Sequence, residues 1–181
     1  MILLLETYCN FAIIEDGMKI RLQLSQPTTE EYLMIGISSS LADYHLSYLI
    51  NKQFQVGLKR RPDIPFYSKT GLIGHFPIYT HYDEDLRMQY YLIGNRHHGK
   101  TAVKDHKYFE YFLLVQLSSY SLPTADILKK MRSLRGLNAA LSIPTQQLKT
   151  FEEILEDIEL HLMETNSRTQ VSAMAWLWCK K

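Results

Sequence analysis

Seven histidines and nineteen carboxylates give this chain of 181 residues material for metal or acid–base chemistry, but their spacing works against both. His97 and His98 are adjacent, and neighbours on an extended chain point to opposite faces. His75 and His81 are six apart, so on a regular strand they share a face yet stand ~20 Å from each other. No His-Glu-x-x-His pair joins them or His106, and no metal site is expected. There is no Gly-x-Ser-x-Gly elbow, and neither Cys9 nor Cys179 sits in a catalytic pattern. Gly94 and Gly99 end a hairpin strand rather than open a helix, so no phosphate-cradling loop is read there. Asp83-Glu84-Asp85 has the composition of a solvated turn. Asp43 and Glu110 are more telling, because each precedes a tyrosine, Tyr44 and Tyr111, in apolar surroundings. Asp43 suits the first turn of a helix, where a carboxylate meets the positive end of the dipole. Glu110 suits a hydrogen bond on a strand face. A role in an acid–base site is the alternative for both. No catalytic residue and no cofactor is assigned.

The cations are grouped. Lys59-Arg60-Arg61, Arg96 through Lys100, and Lys129-Lys130 with Arg132 and Arg135 form three clusters. The candidate anion-binding residues are therefore Lys59, Arg60, Arg61, Arg96, Lys100, Lys129 and Lys130. A net charge of +1 hides a segregation: residues 18–150 carry 17 Lys and Arg against 10 Asp and Glu, whereas residues 1–17 and 151–181 each carry a net −3. A basic body fits an anionic partner, and it fits equally well acidic ends folded back on that body. Twelve tyrosines suit half-buried strands, and exposed aromatics on a sheet can also stack bases. The RNP1 signature of the commonest RNA-binding sheet is absent. A second candidate surface closes the chain: Met174, Trp176, Leu177 and Trp178 are apolar, and tryptophan is a preferred interface anchor.

The elements that must hold these residues can be read from periodicity. Met18–Ser25 alternates with period 2, and Tyr32–Ile37 is a more fully apolar strand. Ser40, with Asp43 three residues later, reads as the cap of a helix running to about Phe54. Residues 73–94 read as a hairpin around the acidic turn, 94–100 as a polar loop and Phe109–Leu117 as a central strand. Thr124 caps a second helix closed by Gly136, and Ala139–Ile143 is a strand. The unit 109–143 demands a parallel crossover or a strand inserted between its two strands. Thr150 and Glu153 open an acidic amphipathic helix with Phe151, Ile154, Leu155, Ile158 and Leu162 on one face, followed by a polar linker at 165–169. The fold class expected is α+β: a mainly antiparallel sheet with two helices on one face, ferredoxin-like as the leading topology, plus a C-terminal helix. The expected organisation is a non-native or disordered extension at 1–17 before a native start at Met18, an α+β domain at 18–150, and the helix and apolar tail at 151–181.

The stretch Val103-Lys104-Asp105-His106-Lys107-Tyr108-Phe109-Glu110-Tyr111 resembles the signature of the IPExxxVDY family of small bacterial proteins. Tyr111 is identical to the signature, Val103, Asp105, Phe109 and Glu110 are conservative, and Lys104 stands in place of the proline. Leu33–Ile37 with Leu41–Leu46, Tyr90–Arg96 and Leu148-Lys149 are similar in order and spacing to that family's strand, helix, hairpin and closing segment. The resemblance covers about residues 18–150. It implies a small cytosolic α+β domain, and no reaction, ligand or site residue comes with it.

Met1–Leu5 is apolar but too short for a signal core, and no window approaches a membrane span, so a cytoplasmic protein without membrane contact is expected. The two cysteines form no Cys-x-x-Cys pair. The function expected is a non-enzymatic protein-binding or adaptor domain, with a protein partner or a homodimer. The alternatives are an RNA-associated protein using the basic clusters, and a small-molecule regulatory domain by analogy of fold.

Overall fold

Leu33, Ile35 and Ile37 point to one side of a strand and Met34 to the other, and all four are buried, so this strand must be covered on both faces. The same holds for Phe112, Leu113, Leu114 and Val115. The computed structural model describes residues 32–68, 70–117, 123–145 and 151–178, with 166–178 as helical backbone alone, and it supplies both layers. The elements are β1 (Tyr32–Ser39), α1 (Asp43–Phe54), β2 (Lys59–Ser68), β3 (Gly71–Asp83), β4 (Met88–Gly94), β5 (Arg96–His97), β6 (Lys100–Thr101), a 3-10 turn at Lys104–His106, β7 (Tyr111–Gln116), α2 (Thr124–Arg132), β8 (Leu137–Ile143) and α3 (Phe151–Trp178).

Six strands form one sheet in the order β2-β3-β4-β7-β1-β8, with every neighbouring pair antiparallel. On one face Ile35, Leu92 and Leu113 pack with Leu46 and Ile50 of α1 and Ile127 and Met131 of α2. On the other, Met34, Phe76, Ile78 and Leu114 pack with Ile154 and Ile158 of α3. The molecule is an α+β sandwich with two helices on one face and the C-terminal helix on the opposite one. Strands β8-β1-β7-β4 have the order and alternating direction of a ferredoxin-like sheet, extended at one edge by β3 and β2. The 109–143 unit needs no adjacent parallel pair, because β1 lies between β7 and β8.

Local details depart from the expectations. Helix α1 starts at Asp43 after Ala42 and has no side-chain cap: Ser40, the expected cap, stands two residues before the cap position, and its neighbour Ser39 donates to the Gly136 carbonyl at 2.8 Å and accepts the Leu41 N–H at 3.1 Å. Thr124 is the first residue of α2 rather than its cap, a place taken by Pro123. Gly136, with φ of 90°, closes the turn after α2 in the left-handed region that favours glycine. Residues 165–169 are not a linker, since α3 runs through them unbroken. The stretch 151–178 contains neither glycine nor proline to stop it. The strand expected at 18–25, the extension at 1–17, and Thr150 of the capping box lie outside the described residues.

Candidate functional site

The three basic clusters are built into different elements. Lys59, Arg60 and Arg61 open β2, at one edge of the sheet. Lys129 and Lys130 lie on α2, which packs on β8 at the other edge. Arg96 and Lys100 lie on β5 and β6, a small hairpin separate from the main sheet. The clusters thus make no single anion site. Several cations already have partners: Arg60 is ion-paired with both Asp43 and Asp63, Arg61 donates from Nε to Thr80 Oγ1 at 3.1 Å, and the Lys130 ammonium stands 5.8 Å from the Phe54 ring centroid. Arg132 donates from Nε to the Ala140 carbonyl at 3.0 Å, which ties α2 to β8.

Asp43 is the centre of a clamp rather than a cap. Its Oδ2 takes the Arg60 guanidinium and the Tyr79 hydroxyl, the latter at 3.2 Å, and the Arg60 guanidinium stacks 5.3 Å from the Tyr79 ring centroid. One carboxylate therefore joins α1 to β2 and β3. Burial raises the Tyr79 hydroxyl above the ordinary phenol value, and the Asp43 charge adds to it while Arg60 works against it. Glu110 makes the second junction. Its Oε2 accepts the Ser39 N–H at 3.0 Å and its Oε1 lies 3.5 Å from Arg96. Next to it the Tyr111 hydroxyl donates to the Leu41 carbonyl at 2.7 Å. Burial, then the charges of Asp43 and Glu110, push that phenol up to about 12.

Four residues of the stretch 103–111 are architectural. Val103 is buried, Phe109 lies over Gly36, Glu110 holds Ser39, and Tyr111 holds Leu41. A Cβ on Gly36 would lie 2.6 Å from the Phe109 ring, so only glycine admits that ring to the strand. The residue that sequence reading missed is Asn95, fully buried. Its Nδ2 donates to the carbonyls of His106 (3.1 Å) and Phe109 (2.9 Å), its Oδ1 accepts the Val103 N–H at 2.8 Å, and its own carbonyl accepts the Ala102 N–H at 2.9 Å. The signal available was an asparagine directly after an apolar strand and before a polar loop.

Residues 94–101, Gly-Asn-Arg-His-His-Gly-Lys-Thr, also fit the spelling of a P-loop, which the sequence reading did not pick out. The fold does not follow the spelling. His97 pairs with Lys100 across a two-residue turn, with φ of 47° at His98 and 76° at Gly99, so Lys100 and Thr101 sit on a strand and open no helix. The rings of His97 and His98 are 4.0 Å apart between centroids, and among the described residues no three His, Cys, Asp or Glu side chains gather in a way that could hold a metal ion.

Trp176, Leu177 and Trp178 occupy the last turn of α3. The helix is fastened upstream of them: Asp157 accepts the Tyr67 N–H, and His161 Nε2 donates to the Pro62 carbonyl at 2.9 Å, both groups belonging to edge strand β2. Among the described residues no helix is long and apolar enough to cross a membrane. Compared with family models, curated proteins and solved structures, the chain has no match.

Proposed function

We propose that the chain is a non-enzymatic protein-binding or adaptor module of the cytoplasm, with the distal half of α3 as its recognition element. The observation that carries this reading is that α3 exposes large apolar side chains on the part that covers the sheet, and its helical backbone goes on to Trp178. Among its described side chains, 151–165, Ile154 and Ile158 are buried and Phe151, Leu155 and Leu162 half-buried, and the helical backbone runs on to Trp178. At 1.5 Å per residue it is ~42 Å long. Its outward side already exposes Leu160 (59%) and Met163 (68%), side chains that gain nothing from the fold. Met174, Trp176, Leu177 and Trp178 follow along the same helix, and tryptophan is a preferred interface anchor. A helix with apolar residues to spare is the ligand half of helix-in-groove recognition. The absence of a reaction is supported by the engagement of Asp43, Asp63 and Glu110 with arginines and backbone. The test compares the full chain with one ended after Asn166, by light scattering and by pull-down with and without nuclease. The full chain should self-associate, or retain a protein through nuclease treatment, and the shortened chain should do neither. Identical behaviour of the two chains would remove the reading.

A further inference from the structure

Residues 95–110 leave the sheet and return to it at one point, since Gly94 and Tyr111 are paired across β4 and β7. A surface segment of this length with adjoining ends is an Ω-loop, a form that often carries function. The loop holds Arg96, Lys100, Lys104 and Lys107 against Asp105 and Glu110, and Glu110 is already committed to Ser39 and Arg96. Among the described residues, Lys100, Lys104 and Lys107 have no carboxylate within ion-pair distance. All three are exposed. The backbone that carries them is held in place. The five hydrogen bonds made by buried Asn95, the fifth from its own N–H to the Glu110 carbonyl at 2.8 Å, stitch the two arms of the loop together, and Val103 and Phe109 pin it to the sheet. The ordering entropy of the loop backbone is therefore spent in folding, not at binding.

An aromatic ring stands among these cations. Tyr108 is 74% exposed, and the Lys107 ammonium lies 5.5 Å from its ring centroid. Lysines alone would suit any polyanion. A ring held in water beside them adds a stacking platform, which an acidic protein does not require and an unpaired base does. We propose that the 95–110 loop binds single-stranded RNA, with phosphates at Lys100, Lys104 and Lys107 and a base on Tyr108.

The test is fluorescence anisotropy of the full chain with a labelled single-stranded oligoribonucleotide of mixed sequence. Three phosphate contacts imply that affinity falls roughly 20-fold between 50 and 200 mM salt. Lys104→Ala and Lys107→Ala should each flatten the plot of log affinity against log salt by about 0.7. Tyr108→Ala should weaken binding roughly 5-fold or more at every salt concentration and leave the slope unchanged. All three side chains are exposed, so thermal melting of the variants should match the parent. No binding at 50 mM salt overturns the proposal, as does binding that none of these variants alters. Displacement of the oligomer by an equal charge of polyglutamate would point instead to an acidic protein partner. Displacement by micromolar ATP would point to a mononucleotide site, and either displacement overturns the strand-binding assignment.

Discussion

Tyr111 illustrates how one side chain can tie chemistry to stability. Its hydroxyl donates to the Leu41 carbonyl, and burial with nearby Asp43 and Glu110 pushes its pKa up to about 12. A tyrosine raised in the folded state contributes stability that is whole below the unfolded value near pH ~10. That contribution is lost as the pH rises through about 12. Tyr111→Phe should therefore cost about 1 kcal/mol at neutral pH through the lost hydrogen bond. Between pH 10 and 12 the variant should lose less stability than the parent, and parallel urea-unfolding curves at several pH values in that range would check this. A parent and variant that fall together would mean the phenol is not held as described. Asp43 gives a milder case. It was legible in the sequence as a helix-start acid, but its partners Arg60 and Tyr79 come from strands distant in the chain, which no local spacing reveals. Because the Asp43–Arg60 pair is part-exposed, Asp43→Asn should cost at most ~1 kcal/mol. It should leave the RNA affinity of the 95–110 loop unchanged. A collapse of binding without a change in melting would place Asp43 in a site.

At the level of elements, the sequence was most informative where apolar period and turn chemistry agreed. Strand β1, the β3–β4 hairpin and β7 all stand close to where alternation placed them. Strand β2 was missed because it opens with three cations and carries Pro62 and Pro65. Prolines speak against a central strand, but β2 is at the sheet edge, where a missing N–H disturbs no second ladder, and the register shifts between Arg61 and Ile64. The expected caps, Ser40 and Thr124, were misplaced because α1 starts after Ala42 and α2 after Pro123, neither of which has a capping side chain, and the end of α3 because a polar stretch without glycine or proline is no stop signal. Helix α3 also allows a contrast between neighbours. Ile158→Ala removes a fully buried side chain and should cost about 2–4 kcal/mol in urea unfolding. Asp157 is raised by partial burial and by Glu153 and Glu156, with the Tyr67 N–H opposing. An acid raised in this way contributes its stability on the acid side and loses it as the pH rises through the folded value. Asp157→Asn, which keeps an acceptor for Tyr67, should consequently be neutral or stabilising at pH 7. A clear loss of melting temperature in that variant would show that the charged hydrogen bond outweighs the repulsion.

Across the whole molecule, charge and burial divide the chain into faces. The acids of 151–164 lie on a helix that covers one side of the sheet, while the basic α2 lies on the other. The sequence left open whether the acidic end docks on the body or serves a partner, and α3 does the first with its proximal half. Ile154 and Ile158 close a core containing Met34, Ile64, Phe76 and Leu114, so the helix belongs to the folding unit and is not an appendage. Two truncations should then behave differently. A chain ended after Thr145 uncovers that core, a continuous apolar face of the kind that drives aggregation, and should lose its cooperative thermal transition. A chain ended after Asn166 keeps every side chain seen to pack, and its melting temperature should stay within ~3 °C, a stability change of about 1 kcal/mol at this size. Calorimetry on both chains would check the pair. If the second truncation also unfolds, the distal half of α3 is a stabilising element and not a free recognition surface. If the first stays cooperative, the sheet does not need its second layer, and α3 is a detachable strap over β2.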